Sequence, residues 1–244
     1  MENDKDYTKF CIRATGVTAL FTTPETKLPG ERRSSWYPYY EQLKNMIQAI
    51  FWKPEICIVV DRCRIMNKAR FQTGGVLETD FGGAGHLDGH QPVAQTMLCD
   101  VEYIIEFHIV ENMSDYAQKR IAERVKNGGE PWSRKKYEDI MERAITKGAH
   151  RIPYFGTSDC PAIIRPCDDF FAGEGYYDHT SCDIGLVYHG VNYPEQAGDG
   201  IKAAADNTVE RRFTHLKMEN GIIEFPTPEK CEFVQVIDLG KKRS

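Results

Sequence analysis

Seven histidines in this 244-residue chain are the side chains whose ordinary titration lies near neutral pH. Pattern singles out His108. Between residues 99 and 111, Cys99, Val101, Tyr103, Ile105, Phe107 and Ile109 alternate with Asp100, Glu102, Glu106 and His108. That alternation is a strand, with His108 on its polar face. Such a histidine could act on a ligand lying over an open sheet, or simply be a polar residue on a solvated face beside Glu102 and Glu106. His150 and Arg151 follow a helical pattern and could meet a phosphate. His179, His189 and His215 lie in the acidic C-terminal part and stand out less. His86 and His90 have metal-like spacing, but in a glycine-rich stretch rather than a helix, so no metal is assigned. Gly74-Gly75 and Gly82-Gly83 lack the lysine and helix of a phosphate loop, and no HExxH motif occurs. No cofactor is expected.

Charge points to a polyanion. The net charge is −5, but residues 31–70 hold eight Lys or Arg against four acids, and residues 119–151 hold ten against five. Residues 71–118 carry eight acids and no Lys or Arg. The first basic block opens with Arg32 and Arg33, runs through Trp36, Tyr37, Tyr39 and Tyr40, and ends with Arg62, Arg64, Lys68 and Arg70. Cations for phosphates and rings for unstacked bases are what binding of single-stranded or looped RNA needs. Lys135, Lys136, His150 and Arg151 are the candidate contacts of the second block. Ordinary solvated surface is the competing reading. RNA affinity carried by these blocks should fall steeply with salt, through counterion release.

These residues need a frame. Residues 9–22 read as a strand broken near Gly16, and Pro24 to Gly30 as a loop. Leu43, Met46, Ile47, Ile50 and Phe51 mark a helix over 39–52, stopped by Pro54. Ile56 to Met66 is a strand, apolar on both faces and then alternating, with Arg62 and Arg64 opposite Cys63 and Ile65. Residues 71–98, rich in Gly, Thr and Asp, suggest a long exposed hairpin or loop. Helices follow over 114–126 and from Ser133 to Gly148, then a short strand at 160–165. The order matches a ferredoxin-like or RRM-like βαββαβ unit within an α+β chain. The expected division is 1–168, with an insertion at about 67–98, and an antiparallel β domain over 169–244. There, 185–194 is a strand, and Asn220-Gly221 turns a hairpin.

Cys11, Cys57, Cys63, Cys99, Cys160, Cys167, Cys182 and Cys231 form no CxxC pair, which favours reduced thiols without zinc or disulfides. No apolar run approaches the ~20 residues of a membrane span, and the polar N-terminus shows no secretory signal. A cytoplasmic protein is expected.

Several segments together carry a resemblance: TTPETK (22–27), PYYEQLKNMIQAIFWKPEI (38–56), VVDR (59–62), CDVEYIIEFH (99–108), HGVNYPE (189–195) and MENGIIEFP (218–226). From about residue 10 to 239 the chain resembles the CRISPR-associated Cas-five-d proteins of subtype I-C. The resemblance implies a ferredoxin-like domain with a hairpin insertion and a small C-terminal sheet. It implies metal-free cleavage of the CRISPR repeat transcript, retention of the crRNA 5′ handle, and a place beside the backbone and large subunits of a Cascade complex. DNA could be bound but not cut.

The resemblance also implicates a Tyr, a Lys and a His in cleavage. The Tyr corresponds to Tyr40 and the His to His108; the Lys has no counterpart. Lys44, one helical turn from Tyr40, is the nearest replacement. A cation from the second basic block is an alternative, and a protein that only binds RNA is another. On this basis Tyr40 and His108 are expected to approach one another across the open side of the sheet, near Lys44. Attack by the RNA 2′-hydroxyl would give a 2′,3′-cyclic phosphate and a 5′-hydroxyl. An unrelated protein sharing the topology remains the third reading.

Overall fold

The computed structural model describes residues 7–23, 26–28, 30–81 and 87–240. His86 lies outside these residues, as does the side chain of His90. Eleven strands and three helices follow in the order β1 (Phe10–Ala19), β2 (Lys27–Leu28), β3 (Glu31–Arg33), α1 (Tyr40–Ile50), β4 (Ile56–Ile65), β5 (Arg70–Phe81), β6 (Leu87–Glu111), α2 (Asp115–Lys126), α3 (Arg134–Lys147), β7 (Ile163–Pro166), β8 (Cys182–Asn192), β9 (Thr208–Glu219), β10 (Ile222–Glu224) and β11 (Phe233–Asp238). The chain is a mixed α/β protein on an antiparallel sheet. Its central strands run β4-β6-β1-β7, each antiparallel to its neighbours. Strand β10 pairs with β4 through Ile222↔Arg64 and Glu224↔Arg62, so β8 to β11 are hydrogen-bonded into the same sheet. No helix among the described residues is long and apolar enough to cross a membrane.

The core lies between this sheet and the helices. Leu43, Met46, Ile47 and Ile50 of α1 pack with Tyr137, Met141, Ala144 and Ile145 of α3 on Ile105, Phe107 and Ile109 of β6. Helix α1 starts where the Gln42 side chain accepts from the Tyr39 amide at 3.3 Å. At its other end the carbonyls of Ala49 and Ile50 accept from the amides of Arg151 and His150 at 3.0 and 2.9 Å. Those carbonyls have no partner within a helix, so the 150–151 segment completes α1.

One expectation changes, one resolves to its hairpin alternative, and one strand is new. Strand β1 is not broken at Gly16: a Cβ there would lie 2.9 Å from the Phe155 ring, so glycine makes room for a core aromatic. The 71–98 stretch is a regular hairpin, β5 pairing with the first part of β6 from Arg70↔Cys99 to Phe81↔Leu87. Its periodicity is weak because neither face is fully covered; Phe71 and Leu77 are exposed. Asp100, with φ of +53°, marks where the hairpin leaves the central sheet. Strand β11 was not anticipated, since Phe233, Val234 and Val236 are all exposed and show no inside–outside alternation. The turn at Asn220-Gly221 forms as the dipeptide predicts, with φ of +52° and +76°.

Candidate active site

A β-bulge brings an acid and a histidine together on the sheet face away from the main core. Val60 pairs with Phe107, but the next pair is Arg62 with Glu106, so Asp61 is an extra residue in β4. Ile58 and Val60 face the core before the bulge, and Cys63 and Ile65 face it after. Two consecutive side chains, Asp61 and Arg62, therefore share the face away from it. Asp61 meets His108, with both carboxylate oxygens 3.0 Å from Nδ1. The Nδ1–H donates to the carboxylate, which leaves Nε2 as the nitrogen able to exchange a proton. The Tyr7 ring stacks on the imidazole at 4.8 Å, and its hydroxyl donates to Asp199. Burial, followed by Asp199, pushes the Tyr7 phenol up to about 12, so it stays protonated.

Cations surround this pair. The Arg134 guanidinium lies 4.5 Å over the Tyr7 ring. Arg62 donates to Glu106 at 2.8 and 3.2 Å, and the exposed Lys9 ammonium lies 3.7 Å from the same carboxylate. Asp61, Tyr7, Lys9 and Arg134 were not singled out in the sequence. The signal was present for Asp61: the apolar phase of β4 slips between Val60 and Cys63, which is what a bulge produces. Nothing in the local sequence marks Tyr7.

The expected phosphate ligands divide by what holds them. Arg64 is buried and clamps the 170–178 segment, donating to Asp178 at 3.0 and 2.6 Å and to the Gly173 carbonyl at 2.9 Å. That corrects its place among the RNA contacts, because its donors are already used inside the protein. The same guanidinium holds the Asp178 carboxyl below its ordinary value. Arg62 stays partly open, over the Phe170 ring at 4.0 Å. The aromatic knot is also corrected. Tyr39 is buried and packs on Tyr37 at 5.1 Å, while Trp36 is half-buried against Tyr37 and Tyr177. These rings pack on one another edge-on or tilted, at interplanar angles of 70°, 59° and 50°. Arg33, Lys135, His150 and Arg151 are exposed, Arg32 is half-buried on β3, and Lys136 is exposed and paired with Glu130 at 2.7 Å.

Tyr40 and His108 do not meet. Alternation places His108 opposite Phe107 and Ile109, whose core cluster includes Tyr40, while Tyr40 sits at the edge of β4, where, after burial, Asp61 is among the charges that raise its phenol. Tyr40 is 1% exposed and stacks on His189 at 4.0 Å. Burial pushes its phenol far up, and the Val60 backbone at the edge of β4 is its polar neighbour. Lys44 is buried too, with its ammonium 2.6 Å from Glu41. Arg212 is 1% exposed, donates to Asn192 and to His189 Nδ1 at 3.4 Å, and lies 3.7 Å from Glu41. Gly190 completes the cluster: a Cβ there would lie 2.3 Å from Glu41 Oε2 and 2.6 Å from Arg212 Nη2. A narrow cavity of about 10 Å³ is lined by Tyr40, Lys44 and Arg212. The cluster ties α1 to β8 and β9.

His189 gives this cluster a pH signature. Burial, then the Arg212 charge, pushes its imidazole down to about 3. An unfolded imidazole titrates near 6.5, so between those values the unfolded chain binds a proton that the folded chain does not. This contribution to stability is complete above about pH 6.5 and falls by about 1.4 kcal/mol per pH unit below it. Urea unfolding between about pH 6 and 4.5 should show a steeper acid loss for wild type than for His189→Gln. Equal slopes would remove His189 from the account.

A sequence model of the Cas5d family, described as CRISPR-associated protein (Cas_Cas5), matches residues 11–226. A protein of Thermus thermophilus named CRISPR pre-crRNA endoribonuclease Cas5d is 28% identical over 240 residues, covering 92% of this chain and 94% of that one. A protein of the same name from Mannheimia succiniciproducens is 25% identical over 232 residues, covering 86% and 92%. Among solved structures, a functionally uncharacterized protein of Streptococcus mutans superimposes with a TM-score of 0.68 at 26% identity, covering 94% of this chain and 97% of that one. A crystal structure of a CRISPR-associated protein superimposes at 0.66, with 26% identity and the same coverage.

Proposed function

Since the chain belongs to the Cas5d family of CRISPR-associated proteins, we propose that it is an endoribonuclease that cleaves CRISPR repeat RNA, with His108 as its proton-transfer group. The observation that carries this reading is the His108–Asp61 pair, with both carboxylate oxygens 3.0 Å from Nδ1 on the sheet face away from the main core, where His108 is 9% exposed beneath the Tyr7 ring. The relatives' name, pre-crRNA endoribonuclease, gives the substrate class. In this reading the RNA 2′-hydroxyl attacks the adjacent phosphorus. His108 Nε2 takes that proton or protonates the departing 5′-oxygen, and Asp61 holds the ring in the required tautomer. The positive charge comes from Arg62, Lys9 and Arg134 around the pair, in place of Lys44. The products are a 2′,3′-cyclic phosphate and a 5′-hydroxyl.

The reading extends to the frame and the partners. Strands β1, β4, β6 and β7 with α1 and α3 form a ferredoxin-like unit over 1–168, and 169–244 is the second, antiparallel unit. The protein keeps the crRNA 5′ handle and works in the cytoplasm beside the backbone and large subunits of a type I-C Cascade. Exposed Arg33, Lys135 and Arg151 contribute phosphate contacts.

The test is incubation of a labelled cognate repeat with the protein in EDTA. One phosphodiester should be cut, and a 2′-deoxy substitution on its 5′ side should abolish the cut. A second reading, an RNA-binding subunit without cleavage, is favoured by Lys44, whose ammonium is engaged by Glu41 at 2.6 Å in the interior. A repeat that is bound with steep salt dependence yet stays intact would establish that reading.

A further inference from the structure

We propose that Cys11 and Cys167 form a cross-strand dithiol that a small disulfide such as oxidised glutathione closes reversibly, making this pair a redox modification site. The inference is independent of RNA cleavage. It rests on register. Strands β1 and β7 are antiparallel with Ile12 opposite Pro166, so the next pair outward is Cys11 with Cys167. The Cys167 amide donates to the Cys11 carbonyl at 3.1 Å, which continues the ladder one residue past β7. Directly opposed residues of a hydrogen-bonded antiparallel pair have Cα atoms about 5.5 Å apart, within the Cα span a disulfide bridges, and their Cβ atoms, about 5.5 Å apart, must draw in by about 1 Å for the bond to close. Both side chains leave the same face, packing beside Met66, Ile104 and Phe170. Both thiols are free and half-buried, so a small oxidant can reach them.

The remaining thiols with described contacts face other chemistry. Cys160 meets the Thr18 hydroxyl and Cys99 the Gln72 amide, each at 3.3 Å, while Cys57 and Cys231 meet backbone carbonyls at 4.0 Å. The Cys167 thiol donates to the Asp169 carbonyl at 3.2 Å, and Cys11 and Cys167 also interact with each other. Burial first, then the Cys167 thiol, pushes Cys11 up to about 12, so Cys11 is the partner held protonated. Cys167 therefore reacts first. Its thiolate attacks one sulfur of glutathione disulfide, the S–S bond breaks, and one glutathione thiolate leaves. The Cys11 sulfur then attacks the Cys167 sulfur of the mixed disulfide and expels the second glutathione. Two protein S–H bonds are exchanged for one S–S bond, both protons pass to the released glutathiones, and the oxidant takes the two electrons.

The position gives the bond a consequence. Cys167 begins the segment whose Phe170 ring lies 4.0 Å under the Arg62 guanidinium and whose Asp178 holds Arg64. Cys11 lies across the ladder from Glu106, the carboxylate that Arg62 engages. Closing the pair would fasten the cover over this face of the sheet to β1.

The experiment uses the full chain, reduced, desalted and equilibrated with glutathione disulfide. Digestion without reductant should yield Cys11 linked to Cys167 as the predominant product. The intact protein should be lighter by two hydrogens and restored by dithiothreitol. Its Tm should rise by roughly 5–15 °C, because the bond closes a long loop of the unfolded chain. Cys11→Ser should stop at a stable glutathione adduct on Cys167. Separate adducts on both cysteines without a link, links spread over other cysteines, or two thiols that stay reduced would overturn the proposal. The peptide map is read on wild type, so it stands even where the variant folds poorly.

Discussion

His108→Ala is expected to lower the single-turnover rate of repeat cleavage in EDTA by about 10² to 10⁴, the range of a positioned acid–base group. RNA affinity should stay within a few-fold, since phosphate contacts come from separate cations. The geometry makes the effect specific. With Nδ1 engaged by Asp61 at 3.0 Å, Nε2 is the group removed. Asp61→Asn should also lower the rate, because it removes both the charge that stabilises the imidazolium and the acceptor that fixes the tautomer. Lys44→Ala is the internal control: its ammonium is engaged by Glu41 in the interior, so it should lower stability while leaving the rate of the folded protein within a few-fold. A rate unchanged by His108→Ala in a folded variant would take the chemistry away from this face. A roughly 10²-fold loss in folded Lys44→Ala would return the reacting centre to α1.

Arg212→Ala should destabilise the protein by about 3–5 kcal/mol, the usual cost of removing one partner of a buried charge cluster. Arg212 is 1% exposed and serves Asn192, His189 and Glu41 together. Truncation leaves the Asn192 oxygen and the His189 Nδ1 without their donor and removes one cation from Glu41. The midpoint of urea unfolding reads the loss directly. Gly190→Ala tests the same cluster from the opposite side, since its methyl would enter the space that Glu41 and Arg212 occupy. A midpoint shift below the equivalent of about 1 kcal/mol for Arg212→Ala would show that the cluster is not a structural tie. Its largest consequence would fall on β8 and β9, which the cluster fastens to α1.

Much of the frame is written locally. The apolar spacing of Leu43, Met46, Ile47 and Ile50 determines α1, the strict alternation from Cys99 to Ile109 determines the central part of β6, and Asn220-Gly221 determines a tight turn. In each case one side of the element is buried and the other is not, so burial leaves a period in the sequence. The same alternation assigned His108 to the face away from Phe107, and the structure puts it there, buried under Tyr7 rather than in solvent. The hairpin of β5 and β6 and the strand β11 were harder to read, because strands wet on both sides carry no such period.

What tertiary structure decided is which polar groups are free. Arg64 and Arg62 are equal in the sequence, yet Arg64 is closed in by Asp178 from a segment more than a hundred residues away, and Arg62 is not. Tyr40 reads as the mouth of a basic, aromatic segment, yet His189 and Arg212 from β8 and β9 cover it. Asp61 reaches His108 only because one extra residue in β4 turns it to the face away from the main core. Side-chain type and spacing fix an element and its buried face through short-range geometry. Whether a charge on that element meets solvent, RNA or a distant partner depends on strands that arrive later in the chain, and no local period records their arrival.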